Sequence, residues 1–292
     1  MATRGHGRMA ACPRAVEAAD RLMRAWVSRQ QIARAADYPL APTSVRGMYD
    51  VHLAMQNHLL AEDLGGLGGY KIGAVGAEGE PCLYAPLFRD LLVDSRELST
   101  FASFRARGRA GEQPLSSSAM GMHQIEPEFA VLMGEDVPPR GDGKPHAPNE
   151  VWKRVEHVAL CIECCGQRAT PDVVATTTQL GKFQDALSAG GVLLGKRLHA
   201  SSIDGHSLAS IETILSVQGE VVARGSGAAC PEGGPVGALG WLANHLNSRG
   251  LRLQQGMLIA TGQTCIYRGV AVGDTVVASF GTLGEVQMVI NP

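Results

Sequence analysis

The stretch QIEPEFAVLM, residues 124–133, places two carboxylates inside an otherwise apolar run. Glu126 and Glu128 are two residues apart, and residues at that spacing in a β-strand point to the same face. The apolar neighbours Ile125 and Phe129 favour burial of the strand. Two carboxylates about 4 Å apart repel each other by about 4 kcal/mol at an effective dielectric of about 20. A solvated strand edge would relieve this repulsion, and so would a cation bound between the two side chains.

A third acid ends another strand-like apolar run, HVALCIECCG at residues 157–166. Three carboxylates, including Glu163, with water in the open positions suit a hard ion such as Mg²⁺ or Mn²⁺, whereas zinc prefers His and Cys. The same run contains Cys161, Cys164 and Cys165, but no second cysteine pair at zinc-finger spacing accompanies them. These cysteines are therefore interpreted as small buried side chains.

Composition and charge exclude several classes of protein. Of 292 residues, 45% are hydrophobic and 18% charged, as in ordinary globular proteins. The net charge of −2 argues against a nucleic acid or an anionic membrane as partner. Seven cysteines and no recognisable secretory signal predict a reduced, cytoplasmic protein. Arg4, Arg8 and Arg14, with no acid among the first sixteen residues, make a mitochondrial setting the alternative.

The hydrophobic period divides the chain in two. Helical spacing over residues 14–36 and 44–64 predicts two amphipathic helices, so residues 1–68 are expected to form a helical N-terminal cap. From residue 69 onward, short apolar segments alternate with glycine turns and indicate strands. One further amphipathic helix is predicted over residues 238–250. The class is therefore α+β, with residues 69–292 forming a largely β catalytic domain.

These segments resemble, in order and spacing, the 2-hydroxypenta-2,4-dienoate (2-keto-4-pentenoate) hydratase group of the fumarylacetoacetate hydrolase superfamily. The resemblance extends from Gly69 nearly to the end of the chain. It is carried by GYKIG, IEPEFAVLM, ALCIECCGQR, FQDALSAGGVLLG, GEVVARGSGAA, ALGWLANHL, GMLIATG and VGDTVVASFGTLGEVQM. It implies the superfamily's mixed β-roll, in which Glu126, Glu128 and Glu163 hold Mg²⁺ or Mn²⁺.

The same resemblance implies three catalytic residues. Lys71 in GYKIG matches a lysine near metal and substrate, where a cation should lower its pKa and fit it for proton transfer; alone, a strand lysine is usually a surface group. Arg168 matches an arginine beyond the third-ligand strand, with a structural ion pair as the alternative. Asp185 matches an acid before the next strand, with a helix or turn cap as the alternative.

The segments that would contact the substrate depart from the group's usual pattern. Gln263 and Thr264 stand in TGQTC, where TGS or TGA is usual, and Gln167 stands where a serine is usual. These three residues are assigned to the substrate pocket. The loop after GYKIG is shorter than usual, and Glu78 and Glu80 lie roughly where the group has aspartates.

The resemblance therefore predicts a metal-dependent hydro-lyase acting on a small 2-oxo or 2-hydroxy-dienoic acid. Two other reactions of the same scaffold are alternatives: decarboxylation of a 2-oxo acid, and C–C hydrolysis of an acylpyruvate, for which His123 paired with an acid would activate water. A catalytically idle structural relative is a further alternative. The resemblance also implies a homo-oligomer.

Overall fold

The computed structural model describes residues 12–73, 75–94 and 121–290. Arg4 and Arg8, on which the mitochondrial alternative largely depends, lie outside these ranges. Within them, no helix combines the length and the apolar character needed to cross a bilayer.

Two helices open the described part of the chain, where helical spacing predicts them. α1 (Pro13–Ser28) ends where Arg29 takes a left-handed φ of 56°, so it is shorter than the predicted helix. α2 (Val45–Gln56) begins at Ser44, whose hydroxyl accepts the Gly47 amide at 3.1 Å. Four further α-helices follow: α3 (Pro148–Trp152), α4 (Pro171–Ala175), α5 (Gln179–Phe183) and α6 (Pro235–Ser248).

Several short 3₁₀ helices are present, and those at Ala35–Asp37 and Leu59–Leu64 replace the ends of the two predicted N-terminal helices. They occur at Ala35–Asp37, Leu59–Leu64, Arg89–Leu91, Ala186–Ser188, Ala200–Ser202, Gly205–Ser210, Gly227–Ala229, Pro231–Gly233 and Gly281–Leu283. The predicted helix over residues 44–64 is interrupted at His58, whose backbone is extended. Its Nδ1 accepts the Leu60 amide at 3.1 Å and so starts the 3₁₀ turn.

Eleven strands in the described ranges form two sheets. They are β1 (Leu67–Gly73), β2 (Leu83–Phe88), β3 (Leu92–Asp94), β4 (Gln124–Met133), β5 (Val155–Cys165), β6 (Ala189–His199), β7 (Glu212–Val217), β8 (Glu220–Ser226), β9 (Leu258–Gln263), β10 (Thr275–Phe280) and β11 (Glu285–Val289). The larger sheet has the order β2-β1-β9-β4-β5-β6-β3, and the smaller has the order β11-β10-β7-β8. β1 and β9 are parallel, whereas β4 is antiparallel to β5 and β9. The predicted α+β class with a mixed sheet is confirmed.

The two N-terminal helices pack against the larger sheet through aromatic side chains. The rings of Trp26 in α1 and Phe88 in β2 meet edge to face, with centroids 5.4 Å apart. Tyr49 in α2 stacks on Tyr84 in β2 at 4.5 Å. Buried side chains of helices and sheets form one continuous apolar cluster. The division into a cap of residues 1–68 and a catalytic domain of residues 69–292 stays a prediction.

Candidate metal centre and active site

Strands β4 and β5 bring the acidic side chains together. In the antiparallel register Glu126 lies directly opposite Glu163, and Glu128 lies opposite Cys161. The exposed fractions are 5% for Glu126 and 0% for both Glu128 and Glu163. A solvated strand edge is thereby excluded, and the shared face inferred from the two-residue spacing is confirmed.

The carboxylates have few hydrogen-bond donors for buried anions. Burial raises the pKa of Glu128 well above its usual range, and the charges of Glu163 and Glu126 raise it further. One oxygen, Glu128 Oε2, accepts the amide of Gly262 at 3.0 Å. Within the described ranges, Glu128 Oε1 and Glu163 Oε2 have no donor other than each other's carboxyl group. Buried oxygen atoms of this kind fit the donor set of a divalent cation.

The glycine in TGQTC gives Glu128 its backbone donor. Gly262 has a φ of 104°, a left-handed conformation that favours glycine. A Cβ at this position would lie 2.8 Å from the Pro231 ring. A larger residue would therefore disturb the turn that points this amide at the carboxylate.

Lys71 supplies the cation that faces this carboxylate cluster. It lies in β1 with only 3% of its surface exposed, so it is not a surface lysine. Its Nζ lies 2.5 Å from Glu163 Oε1 and donates to the Leu187 carbonyl at 3.2 Å. Burial lowers the pKa of Lys71, but the attraction of Glu163 and the other carboxylates outweighs it, so the pKa is raised. The carboxylates of the protein thus raise the pKa of Lys71, whereas a bound cation is expected to lower it. A lowered pKa of Lys71 stays a prediction for the metal-bound site.

The carbonyl that accepts from Lys71 belongs to an unusual backbone segment. Ala186, Leu187 and Ser188 have φ values of 46°, 48° and 61°. A left-handed conformation costs a residue with a Cβ about 1–2 kcal/mol. The Ser188 amide donates to the Asp185 carbonyl at 2.8 Å, and the Gly166 amide donates to the Ser188 carbonyl at 2.8 Å. The strained segment is therefore held from both sides beside Lys71.

Arg168 and Asp185 form a buried ion pair with each other. Arg168 Nε lies 2.6 Å from Asp185 Oδ1, and the Arg168 amide donates to Asp185 Oδ2 at 2.8 Å. The other guanidinium nitrogens donate to the carbonyls of Ala189 at 2.5 Å and Gly166 at 2.7 Å. Trp26 covers the guanidinium, with 4.2 Å between Arg168 Cζ and the ring centroid. The structural ion pair proposed for Arg168 is present; a catalytic role for either residue stays a prediction.

The three predicted substrate-binding residues lie in different environments. Gln263 ends β9, is half-buried and pairs with Glu128 across the β4–β9 ladder. Thr264 is buried, and both its hydroxyl and its amide donate to the Pro127 carbonyl, at 2.8 Å and 2.9 Å. Gln167 is half-buried next to Arg168, and its backbone carbonyl accepts from the side chain of Gln31 at 3.0 Å. Gln263 is therefore adjacent to the carboxylates, and the substrate contacts of all three stay predictions.

The acids of the shortened loop have other partners. Glu78 Oε2 accepts the Val45 amide at 2.8 Å, at the N-terminus of α2. Glu80 lies 3.8 Å from His245 of α6. His123 is exposed, and its Nδ1 lies 3.2 Å from the Gly121 carbonyl rather than beside an acid. The His–acid pair that hydrolysis would need is therefore not formed by His123 in the described structure.

Two side chains on the carboxylate face are missing from the sequence-based assignment. Gln124 lies in register with Cys165, and its Nε2 donates to Glu126 Oε1. Oxygen atoms of Glu126 and Glu163 and the Cys165 sulfur lie within 4.8 Å of one another. The signal was available, because Gln124 precedes Glu126 by two residues and Cys165 follows Glu163 by two residues, and the strand period places each pair on one face.

Curated relatives of this chain are hydratases. It is 28% identical over 201 residues to the 2-keto-4-pentenoate hydratase of Paraburkholderia xenovorans, covering 68% of this chain and 70% of the relative. The enzyme of the same name from Burkholderia vietnamiensis is 27% identical over 205 residues, covering 68% and 71%. No protein-family model matches the chain.

Solved structures confirm the fold predicted by resemblance. The 4-oxalocrotonate decarboxylase of Pseudomonas putida, complexed with magnesium and adipate, superimposes with a TM-score of 0.74 at 21% identity, covering 94% of this chain and 96% of that one. The fumarylpyruvate hydrolase of Pseudomonas aeruginosa, complexed with Mn²⁺ and pyruvate, gives 0.52 at 15% identity, covering 76% and 88%. The chain therefore has the mixed β-fold of fumarylacetoacetate hydrolase superfamily structures.

Proposed function

We propose that this chain is a divalent-metal-dependent hydratase of small 2-hydroxy-dienoic or 2-oxo acids, similar to 2-keto-4-pentenoate hydratases. The observation that carries the proposal is the buried set of Glu126, Glu128 and Glu163 facing the ammonium of Lys71. Ionisation of all three carboxyl groups would leave an excess of negative charge beside Lys71, and buried charge without compensation is unfavourable, so the ionised set requires a further cation. Curated relatives of the chain at 27% and 28% identity are hydratases.

The three carboxylates would hold Mg²⁺ or Mn²⁺ through oxygen atoms, which these ions prefer. When bound, the ion supplies Lewis-acid stabilisation of negative charge on the 2-oxygen and carboxylate of the substrate. The bound magnesium and manganese in the two structural relatives are consistent with this choice of ion.

Lys71 would move the proton. Its Nζ carries a proton held by Glu163 and by the carbonyl of Leu187, so it can protonate the carbon skeleton of a substrate seated beside the carboxylates. The 2-hydroxyl gives up its proton, which restores the ammonium, and the substrate becomes a 2-oxo acid with one remaining carbon–carbon double bond. Water then adds across that bond, with its hydroxyl on one carbon and its hydrogen on the other. A lysine held in this way between an anion and a carbonyl is oriented before substrate arrives. A cation bound by the carboxylates would offset the attraction that raises the pKa of Lys71 and so bring it towards the range that general acid catalysis needs.

Arg168 and Asp185 would act by position rather than by contact with substrate. Both oxygens of Asp185 bind Arg168, and the guanidinium donates to nearby carbonyls. The pair fixes both ends of the segment whose Leu187 carbonyl accepts a hydrogen bond from Lys71. Gln263, next to Glu128, would be the polar group that contacts the far end of the substrate, and Thr264 and Gln167 are the two other proposed substrate contacts.

Decarboxylation of a 2-oxo acid such as 4-oxalocrotonate is the second candidate, because the same headgroup would bind the ion in the same way. The observation that favours it is the superposition on a decarboxylase over 94% of the chain. Hydrolysis is less favoured, since His123 is not paired with an acid in the described structure. The homo-oligomer implied by the resemblance is part of this proposal.

The test is a spectroscopic assay of purified protein with Mg²⁺ or Mn²⁺ against 2-hydroxypenta-2,4-dienoate, 4-oxalocrotonate and an acylpyruvate. Consumption of the dienoate by the wild type supports the hydratase, provided that Glu126→Gln loses this activity. Glu220→Gln, which changes an exposed acid of β8, is the control and should keep it. Conversion of 4-oxalocrotonate alone would show that the protein is a decarboxylase rather than a hydratase. Calorimetric Mn²⁺ binding without turnover of any substrate would identify an idle relative, and absence of Mn²⁺ binding would overturn the metal site itself.

A further inference from the structure

A thiol lies among the buried carboxylates. Cys165, the last residue of β5, is 2% exposed and follows Glu163 on the same face of the strand. Its sulfur and one carboxylate oxygen each from Glu126 and Glu163 lie within 4.8 Å of one another. Ligands bound to one ion at about 2.0–2.3 Å cannot be more than about 4.6 Å apart. Displacements of a few tenths of an ångström would therefore let all three atoms contact the same ion.

A second feature of the same face points to a cation. The fully buried Glu163 carries the oxygen Oε2, for which the described part of the chain offers no donor other than the neighbouring carboxyl of Glu128. This carboxylate belongs to the donor set that includes the Cys165 sulfur. A buried anionic oxygen without a donor is stabilised by a bound cation.

The other cysteines of this run have contacts of their own. Cys161 Sγ donates to the Glu128 carbonyl at 3.2 Å. Cys164 points to the other face of the strand, where its sulfur lies 4.0 Å from that of Met288. The Cys165 sulfur lies 3.9 Å from Gln124 Nε2, on the face that carries Glu126 and Glu163. The Cys165 sulfur is thus the thiol of this run that lies among carboxylate oxygens.

We propose that the sulfur of Cys165 is a fourth protein ligand of the metal, beside Glu126, Glu128 and Glu163. The proposal rests on the proposed function, because it requires the carboxylates to bind a divalent ion. Formation of the metal–sulfur bond breaks the S–H bond, and the proton passes to solvent. A thiolate is a soft donor, so it adds affinity for borderline ions such as Fe²⁺, Co²⁺ or Zn²⁺ relative to Mg²⁺.

The test uses Co²⁺ as the probe, because a thiolate bound to Co²⁺ gives a near-ultraviolet charge-transfer band that carboxylates do not give. We expect the band in the wild type and in Cys164→Ala, and its loss in Cys165→Ser. Calorimetry should show Co²⁺ affinity falling about 10–100-fold in Cys165→Ser, with Mg²⁺ affinity changed much less. Cys164→Ala is the matched control, since it removes the adjacent thiol from the opposite face.

A measurement on the wild type keeps the test independent of how the variants fold. X-ray absorption of the Co²⁺-loaded protein should contain a sulfur neighbour at about 2.3 Å. If Co²⁺ binds with Glu126-dependent affinity but neither band nor sulfur neighbour is seen, the sulfur ligand is wrong while the carboxylate site stands. If Co²⁺ does not bind, or binds equally well to Glu126→Gln, both the ligand and the proposed function are wrong.

Discussion

Glu126 in β4 and Glu163 in β5 face each other across an antiparallel ladder, with exposed fractions of 5% and 0%. Directly opposed positions bring Cβ atoms within about 5.5 Å, and like charges in such positions are destabilising. Lys71 compensates part of this charge, through its contact of 2.5 Å with Glu163. The dication site proposed above would account for three acids on one buried face of the sheet.

The first prediction concerns Glu128→Gln. In metal-free protein this change should leave the unfolding temperature unchanged or raise it, because it removes a fully buried carboxyl whose neighbours repel its charge. Added Mn²⁺ should stabilise the wild type by about 2.7 kcal/mol at a hundred times its dissociation constant, and should stabilise the variant far less. Thermal unfolding with and without Mn²⁺ measures both effects. A Glu128→Gln protein that responds to Mn²⁺ like Glu220→Gln would contradict the ligand assignment.

The second prediction separates proton transfer from metal binding. Lys71→Met removes the ammonium that faces the carboxylates, so turnover should fall by about 10²–10⁴-fold. Mn²⁺ affinity should be retained or increased, since a competing positive charge is removed. Steady-state kinetics and calorimetry on the same preparation check both outcomes, with exposed Lys153→Met as the control. Equal losses of metal affinity and turnover would show that Lys71 supports the site structurally instead.

Much of the carboxylate face could be predicted from the sequence because strand geometry is local. The two-residue spacing of Glu126 and Glu128 fixes their common face whatever the rest of the chain does. The same rule should have included Gln124 and Cys165; the interpretation of cysteine as a small apolar residue excluded the latter. The period of a strand predicts which side chains share a face. It does not predict which of those side chains bind a buried cation.

Other parts of the site could not be read from local pattern. The stacking of Trp26 on Arg168 joins the N-terminal helix to a segment more than a hundred residues away, and no periodicity encodes that contact. The left-handed run of Ala186, Leu187 and Ser188 contains no glycine, which is the residue that normally signals such a conformation. Both features depend on tertiary contacts that overrule local preference.

The third prediction concerns the buried ion pair. Asp185→Asn leaves the guanidinium of Arg168, which is 3% exposed, without its counter-charge, so the free energy of unfolding should fall by about 3–5 kcal/mol. Arg168→Lys should also be damaging, because an ammonium cannot reproduce the planar set of hydrogen bonds. Urea unfolding measures both changes, and Asp172→Asn, an exposed acid of α4, is the control. Variants with wild-type stability but no turnover would assign the pair to catalysis directly.

The fourth prediction is a pH dependence that arises at His52. Burial lowers the pKa of this side chain to about 4, opposed by the Phe183 carbonyl, which lies 3.0 Å from its Nε2. Because the folded pKa lies below the unfolded value of about 6.5, the stability is present above pH 6.5 and is lost as the pH falls towards 4. The loss amounts to about 3 kcal/mol at most.

His52→Gln keeps a donor for the Phe183 carbonyl but cannot be protonated. The difference in unfolding free energy between variant and wild type should therefore shift in favour of the variant between pH 6.5 and pH 4, by urea unfolding at each pH. The difference isolates His52 from carboxyl groups that titrate in the same range. Exposed His199→Gln should run parallel to the wild type, and a His52→Gln curve that also runs parallel would contradict the prediction.

The last prediction tests the strained segment beside Lys71. Ala186 has a φ of 46°, a conformation that glycine adopts without cost. Ala186→Gly should therefore leave the unfolding free energy unchanged or raise it by up to about 1 kcal/mol, with the gain partly offset by the greater entropy of the unfolded chain. Ala238→Gly, at a buried position inside α6, should instead lose about 1 kcal/mol.

Turnover of Ala186→Gly should fall while Mn²⁺ affinity holds, because a more flexible segment presents the Leu187 carbonyl to Lys71 less firmly. If Ala186→Gly is destabilised as much as Ala238→Gly, the left-handed run is not strained in solution, and the Leu187 carbonyl needs no such constraint to hold the lysine.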